Sequence, residues 1–324
     1  MAKYTGLKGI SDIREYTSNN DIQDGLLEYF DWALIDIGNY FNVTSGEMSP
    51  YGEDYSRLRL SSDPNYSDGQ VWEGFRKNWV WQSGVNHSPT PLVGTDNANP
   101  GVSGVYVDGT FYPNTTDGSF AHRIDHYNGR IIFDSAIPTG SKVQAEYSYK
   151  WVNVLYANNV PWLREIQQQT LDPGSVFLEK DKGDWNLPPE TRLQLPAIAL
   201  EIVPRRYFQG YQLGGGQWVY TDVIFHCIAE DEITRNKLLD IVSLQSDKNI
   251  YLFDSNEINT NNDYPLDYLG VPVSGALRYP DLIEEYGNQL LRLTNAVVQE
   301  VVSVASDIFA GTVRFTTEQV NQKI

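Results

Sequence analysis

The chain has 324 residues, enough to bury a sizeable core in one elaborated domain or in two. Its 42 acidic and 24 basic side chains give a formal net charge of -18. This charge argues against a protein that binds the nucleic-acid backbone, because such binding needs clustered cations. The single cysteine, Cys227, excludes an intramolecular disulfide and a multi-cysteine metal site.

The first periodic segment predicts an amphipathic helix over residues 21–41. Its apolar residues recur at steps of three and four, which places them on one helical face. They are Ile22, Leu26, Phe30, Ala33, Ile37 and Phe41. Asp21 is the expected N-cap, because a carboxylate there accepts hydrogen bonds from first-turn amides. Gly25 and Gly38 weaken the helix, since glycine has a low helix propensity.

Over residues 44–100 the periodicity disappears, and Gly, Ser, Asn, Asp and Pro dominate, which predicts extended loop with short strands. One aromatic segment, VWEGFRKNWVW, stands out within it. Its aromatic side chains are Trp72, Phe75, Trp79 and Trp81. Side chains of this kind anchor a loop either to its own core or to a neighbouring subunit, and both interpretations stay open.

Residues 102–155 predict a small antiparallel β module. Asp108-Gly109 and Asn128-Gly129 each separate two short runs, and both dipeptides suit turns that need positive φ. The segment KVQAEYSYKWVNV then predicts one strand with two different faces. Its apolar face holds Val143, Ala145, Tyr147, Tyr149 and Trp151, and its polar face holds Gln144, Glu146, Ser148 and Lys150.

A second layer begins near Leu195, after a short helix that Pro161 opens. Alternation in PAIALEIVPRRYF and in QWVYTDVIFHCIA predicts a long hairpin, with its turn at Gly214–Gly216. A helix is expected from Asp231, because acidic residues there sit at the positive end of the helix dipole. The predicted apolar side of this helix holds Ile233, Leu238, Ile241, Val242 and Gln245.

Three further strands are expected, at residues 249–253, from Gln289 and from Ile308. This order of elements predicts an α+β fold. It would be a mostly antiparallel sheet flanked by helices, with a small inserted antiparallel β module.

The histidines do not form a convincing site. His122 and His126 are expected on a strand, where residues four apart lie about 13 Å from each other, too far to share one metal ion. His226 and Cys227 are adjacent on a strand and therefore point to opposite faces, so they cannot act as base and nucleophile. Cys227 is expected to be a small buried apolar residue.

Two loops are candidate ligand sites. Gly214–Gly216 fails as a phosphate cradle, because it opens a strand rather than a helix. The loop after Phe253 concentrates oxygen ligands that suit calcium, at Asp254, Asn256, Asn259, Asp263 and Asp267. Its spacing misses the EF-hand pattern, so a solvated loop is the favoured interpretation. No catalytic residue, cofactor or metal is therefore predicted.

A carbohydrate-binding module is an alternative reading of the aromatic residues. Trp79, Trp81 and Trp151 would be its stacking platforms, because an aromatic face packs well on a sugar ring. Packing in the core or at an interface explains the same residues more simply.

Two sequence segments resemble those of a known family. They are VYTDVIFHCIAEDEITRNKLLDIV, a strand that runs into an amphipathic helix through an acidic step, and GTVRFTTE near the end. With the N-terminal helix and the long hairpin, they resemble the tail-terminator and tail-completion proteins of tailed bacteriophages. The stretch from YVDGTFY to KVQAEYSYKWVNV is similar to β modules of phage virion proteins. The resemblance predicts a tail-terminator-like α+β domain at 1–43 and 161–324, with an inserted loop-rich and β-hairpin module at 44–160.

Members of this family form rings, commonly sixfold, that cap the tail tube and dock to the head connector. The resemblance implies a structural virion protein, not an enzyme, that forms a ring at the neck or the head-proximal end of the tail. Its partners would be its own copies, the connector and the tail-tube or sheath proteins, with DNA only as non-specific cargo. No membrane partner is expected, because no apolar run of about 18 residues occurs. The alternative is a carbohydrate-binding or depolymerising β protein of a phage tail or baseplate.

Subunit or partner contacts are expected at the tip of the long hairpin, at the loop after the strand 249–253 and at the aromatic segment. These places combine length, glycine content and aromatic side chains. The predicted interface residues are Trp72, Phe75, Trp79, Trp81, Arg205, Arg206, Tyr207, Phe208, Tyr211, Trp218, Tyr251, Phe253 and Tyr264.

Overall fold

The computed structural model describes residues 18–48, 52, 54–81, 102–157, 194–210, 216–261, 273, 277, 279–305 and 308–321. The chain divides into two compact units. The large-sheet unit comprises Met1–Asp31, Asn153–Asn262 and Tyr279–Ile324, and the small-sheet unit comprises Trp32–Val152 and Asp263–Arg278. The sequence prediction set the start of the inserted module at residue 44 and its end at residue 160.

The large-sheet unit is built on one sheet of long strands. Its strands are β10 (Asn153–Tyr156), β11 (Ala197–Gly210), β12 (Gln217–Ala229), β13 (Asn249–Phe253), β14 (Gly287–Ala305) and β15 (Ile308–Asn321). They form a six-stranded sheet in the order β10-β11-β12-β15-β14-β13. All neighbours are antiparallel except β10 and β11, which run parallel. The predicted long hairpin and the three later strands are therefore confirmed.

The described α-helices are α1 (Ser18–Asp36), α2 (Glu232–Ser243), α3 (Ser255–Asn261) and α4 (Asp281–Tyr286). Two of them, α1 and α2, pack on one face of this sheet. The Phe30 ring of α1 lies 4.7 Å from that of Phe225 in β12. Leu239 of α2 packs on Gly311 in β15, where an added Cβ would lie 2.8 Å from the Leu239 Cδ1 atom. Phe225 and Gly311 belong to the buried, alternating residues that form the inner face of the sheet.

The fold is mostly antiparallel sheet with α+β character, as predicted at that level. Helices α1 and α2 share the inner face of the large sheet. A mostly-β description therefore fits the described residues better than the predicted sheet flanked by helices.

The first helix differs from its prediction at both ends. It ends at Asp36, and Gly38 follows with φ +100°, a left-handed conformation that favours glycine. Phe41 lies instead in the strand β1 (Tyr40–Val43), so the predicted extension of the helix to it is wrong. Asp21 is inside the helix and not its N-cap. Its carboxylate accepts a hydrogen bond of 3.1 Å from the Ser255 amide at the start of α3.

The helix predicted from Asp231 is confirmed. The Asp231 carboxylate accepts a hydrogen bond of 2.8 Å from the Thr234 amide, the geometry of an N-cap. Ile233, predicted on the apolar side, is largely exposed. The buried stripe runs along Arg235, Leu238, Leu239 and Val242, at steps of three and one, and Ile233 lies off that stripe.

The small-sheet unit contains short strands. They are β1 (Tyr40–Val43), β2 (Arg59–Leu60), β3 (Val71–Glu73), β4 (Gly104–Val107), β5 (Thr110–Pro113), β6 (His122–Asp125), β7 (Arg130–Phe133), β8 (Val143–Gln144) and β9 (Tyr147–Lys150). They form three small sheets, in the orders β1-β9, β2-β3-β7-β6 and β5-β4-β8. All pairs are antiparallel, which confirms the predicted module for residues 102–150. Residues 153–155 belong to β10 and to the other unit, so that part of the prediction is wrong.

Both predicted hairpins are present, with different turns. Asp108 and Gly109 form a two-residue turn between β4 and β5, with φ values of +51° and +84°. The turn between β6 and β7 contains four residues and ends at Gly129, with φ +64°. An added Cβ at Gly129 would lie 2.4 Å from the Arg76 carbonyl oxygen, so close packing also requires glycine there.

The predicted single strand over residues 143–151 is two strands. β8 pairs with β4 and β9 pairs with β1, so the segment links two different sheets. Its predicted polar face is also buried, at Gln144, Glu146, Ser148 and Lys150. The core of the unit combines aliphatic and aromatic side chains, and the rings of Trp79 and Tyr147 in it stack with their centroids 4.1 Å apart.

Candidate assembly surfaces

One outer strand of the large sheet, β11, is paired for only part of its length on its outer side. β10 pairs with it at Ala197–Leu200. Among the described residues, no strand lies on that side of residues 201–210. We call this segment the β11 outer edge. Pro204 has no amide hydrogen and the pairing with β12 is irregular between Ile202 and Arg206, so the regular part of this edge is residues 206–210. Backbone amides and carbonyls along such an edge are available to another strand.

The opposite outer strand, β14, shows the same feature at the other end of the sheet. β13 pairs with it at Gly287–Arg292, and Leu293 still exchanges backbone hydrogen bonds of 2.8 and 2.9 Å with Asp247 and Lys248. Over residues 294–305, the described part of the chain places no strand on its outer side. We call this segment the β14 outer edge. Val297 and Val298 within it are each 48% exposed.

Aromatic side chains lie at the free end of the β11 outer edge. Tyr207 is 62% exposed and Phe208 is 48% exposed. The Tyr207 ring lies 5.8 Å from that of Tyr220 on β12. Arg205 is exposed, and Arg206 donates a hydrogen bond to the Asn19 side chain.

The outer face of the large sheet, opposite the helices, carries paired polar side chains. His226 Nε2 lies 2.7 Å from Glu201 Oε2. Arg314 pairs with Asp222 on the neighbouring strand. Opposite charges on adjacent strands stabilise a half-exposed face modestly and keep it polar.

The small-sheet unit presents a continuous row of partly exposed aromatic rings, which we call the aromatic strip. In spatial order its members are Tyr55, Phe75, Tyr149, Phe41 and Trp151. Successive ring centroids lie 4.9, 5.5, 5.8 and 6.2 Å apart. Contiguous exposed apolar surface of this kind marks an interaction site more often than isolated exposed residues do. The sequence analysis missed most of the strip, because its members come from four separate segments.

A cation borders the aromatic strip. The Arg76 guanidinium carbon lies 5.6 Å from the centroid of the Tyr149 ring, within cation–π range. The Tyr149 pKa is raised, because burial disfavours the phenolate. The strip is therefore neutral and apolar at its centre, with positive charge at its side.

Four of the predicted interface residues lie in the core instead. Trp72, Trp79, Trp81 and Phe253 are all buried within their own units. The indole N–H groups of Trp72 and Trp79 donate to the Gly69 and Arg76 carbonyls, at 3.0 and 2.8 Å. These side chains anchor loops to the core, and the interface prediction is wrong for them.

The other predicted interface residues divide into two groups. The exposed or partly exposed ones are Phe75, Arg205, Arg206, Tyr207, Phe208, Trp218 and Tyr251. Tyr211 and Tyr264 lie outside the described residues, as do Gly214, Gly215, Asp263, Asp267 and the helix predicted after Pro161.

Residues that the sequence analysis considered for catalysis or metal binding take part in the packing and hydrogen bonding of the fold. Burial raises the pKa of the Cys227 thiol to about 12, so it stays protonated at neutral pH. His122 Nδ1 lies 2.9 Å from the Phe120 carbonyl oxygen, and burial lowers its pKa. Asp254 caps α3, with its Oδ1 accepting from the Asn256 amide at 3.0 Å. No group of three metal-ligating side chains occurs among the residues described above.

None of the described helices is both long and apolar enough to cross a membrane. In comparisons with known proteins, no family model and no curated protein matches this chain.

Proposed function

We propose that this chain is a structural subunit of a tailed-bacteriophage virion. Copies of it would form a ring at the neck or at the head-proximal end of the tail, through which DNA passes. The observation that supports self-assembly most directly is the pair of outer edges on one sheet. They lie on opposite sides of the large sheet, so each copy would have two different neighbours, an arrangement that generates a ring when the rotation closes.

The charge of the chain supports the passage of DNA. A net charge of -18 repels phosphates and keeps DNA from adhering to a channel wall. The paired polar side chains of the outer sheet face, such as Arg314 with Asp222 and Glu201 with His226, would give a wall of this kind a polar surface without a strong cationic patch.

The mass of the native assembly tests this proposal. Purified full-length chain is measured by native mass spectrometry or light scattering over a range of concentrations, and purified particles are searched for its peptides. A ring of several copies, present in particles, is the expected result. A monomer at every concentration, with no copy in particles, would overturn the proposal.

A second candidate function is supported by the aromatic strip. Of the three predicted carbohydrate platforms, Trp79 and Trp81 are buried and cannot stack on a sugar. Trp151 is partly exposed and lies at one end of the strip, next to Phe41. A row of aromatic faces with a neighbouring arginine suits the apolar faces and hydroxyl groups of a glycan.

Glycan binding separates the two candidates. A glycan array is probed with the wild-type chain and with Phe41→Ala, whose side chain is 49% exposed. Binding that Phe41→Ala abolishes, by a chain that stays monomeric, would favour the carbohydrate-binding function. Tyr251→Ala, also exposed but in the other unit, is the matched control.

A further inference from the structure

We infer that neighbouring copies join by strand addition, with the β14 outer edge of one copy pairing antiparallel with the β11 outer edge of the next. The inference rests on the proposed self-assembly and specifies how it occurs. Its occupant is a second copy of this chain, because both edges belong to the same sheet and complement each other in direction, side chains and charge.

The directions of the strands are compatible. Each step from β11 to β12, to β15 and to β14 is antiparallel. β11 and β14 therefore run in opposite directions within one copy. When copies repeat side by side with the same face inward, β14 of one copy meets β11 of the next in an antiparallel arrangement. Such pairs need only open backbone groups on both sides.

The β14 outer edge has little charge and no proline, although its pairing with β15 is irregular between Thr294 and Val297 and between Val301 and Ala305. Natural edge strands carry charges, prolines or bulges that discourage association. The sequence of residues 295–305, NAVVQEVVSVA, contains one charged residue, Glu300, and is rich in valine. Valine has a high preference for strands. Residues 297–300, which are exposed and pair regularly with β15, are therefore suited to accept another strand.

One register brings like side chains together on the same face. Phe208 lies opposite the buried Val219, and Val298 opposite the buried Val313, so both belong to the inner face. An aromatic side chain opposite a β-branched one is a favourable cross-strand pair. We therefore place Phe208 of one copy opposite Val298 of the other.

The same register also pairs opposite charges. Two positions from Phe208, Arg206 lies opposite Thr221, and two positions from Val298, Glu300 lies opposite Gly311. Both are again on the inner face. Because antiparallel partners move in opposite directions along the chain, Arg206 faces Glu300 across the junction. The Glu300 side chain is 69% exposed and available to a second cation besides Arg235.

The register requires an offset between copies. Within one copy, Phe208 pairs with Val219 of β12. Val298 pairs with Val313 of β15, which in turn pairs with Phe225 of β12. Residues 219 and 225 are six apart, which corresponds to about 20 Å along a strand at 3.4 Å per residue. Each copy is displaced along the strands relative to its neighbour, so strands in a closed ring are tilted against the ring axis.

Engineered disulfides test the junction in the full-length chain. Phe208→Cys with Val298→Cys places two thiols on facing strands at a distance that a disulfide spans. Under mild oxidation we expect a ladder of covalent multimers on a non-reducing gel, and each single variant should give none. The buried Cys227 adds no competing cross-link. The matched control is Phe208→Cys with Leu290→Cys, an exposed residue of β14 in the stretch that β13 covers.

A charge variant gives a second, independent readout. Val298→Lys should lower the multimer fraction at least tenfold, because the lysine would lie opposite the apolar Phe208 and beside Arg206 of the next copy, whereas Leu290→Lys should leave it unchanged. An oligomer that forms without the Phe208–Val298 cross-link and survives Val298→Lys would overturn the strand addition and leave the ring proposal intact. A wild-type chain that is monomeric at all concentrations would overturn both.

Discussion

The two units of this chain are stabilised by different kinds of structure. The large-sheet unit relies on long regular strands, up to the 19 residues of β14, and on helices that cover one face of the sheet. The small-sheet unit has strands of two to four residues, and depends on a mixed aliphatic and aromatic core and on particular turn residues. Regular strands leave backbone edges open for association, whereas irregular loops present side chains such as the aromatic strip.

Among the variants that test this difference, Trp79→Ala in the small-sheet unit is expected to change the free energy of unfolding most. Trp79 is fully buried and stacks on Tyr147. Its removal should lower the free energy of unfolding of that unit by about 3–5 kcal/mol, as for other large aromatic core residues. Hydrogen exchange followed by mass spectrometry should show lost protection in β6 and β7, with β12 and β15 unchanged.

Phe75→Ala is the matched control, because this ring belongs to the aromatic strip and is partly exposed. It should change the unfolding free energy far less than Trp79→Ala. Equal losses in the two variants, or lost protection in β12, would show that the units do not differ in the way described.

A smaller effect is expected from Gly129→Ala. The positive φ there strains any other residue by about 1–3 kcal/mol, and the added Cβ would also meet the Arg76 carbonyl oxygen. Gly109→Ala is the matched control, since it has a positive φ but no atom within 4 Å of the added Cβ. Chemical denaturation should show the larger loss for Gly129→Ala. Equal losses would mean that backbone strain alone accounts for both.

The large-sheet unit was the more predictable from sequence. Strict alternation in β12 and β15 places apolar residues on one face, and Asp231 marks a helix start by its charge and position. Local patterns of this kind follow directly from the geometry of strands and helices.

The small-sheet unit and the surfaces were harder to predict, for a physical reason. Side chains on both faces of residues 143–150 are buried, so the alternation of apolar and polar residues did not predict which face was buried. Trp79 and Phe75 have the same aromatic character in the sequence, yet one is buried and the other exposed. Which strand edges stay open depends on where β10 and β13 end, and such pairing is long-range information that no local pattern carries.

The smallest effect is expected from Asp63→Asn, which tests how far charge supports the small-sheet unit. The Asp63 carboxylate accepts a hydrogen bond of 3.0 Å from the Asn65 amide and one of 2.9 Å from Arg130. The Asn65 amide first, and Arg130 as well, hold the pKa of Asp63 below its usual value. A lowered folded pKa means that the carboxylate stabilises the fold above about pH 4, its unfolded value, and that this contribution is lost as the pH falls through the folded pKa.

At pH 7, Asp63→Asn should therefore lower the unfolding free energy by about 0.5–1 kcal/mol, the range for a partly exposed ion pair. The amide oxygen can still accept from Asn65, so the loss comes mainly from the charge opposite Arg130. Urea denaturation at pH 7 and at pH 3 should show the difference between variant and wild type shrinking in acid. The exposed Asp68→Asn serves as the control, with no difference expected at either pH. A gap between Asp63→Asn and wild type that is equally large at both pH values would mean that hydrogen-bond geometry, and not charge, links Asp63 to this unit.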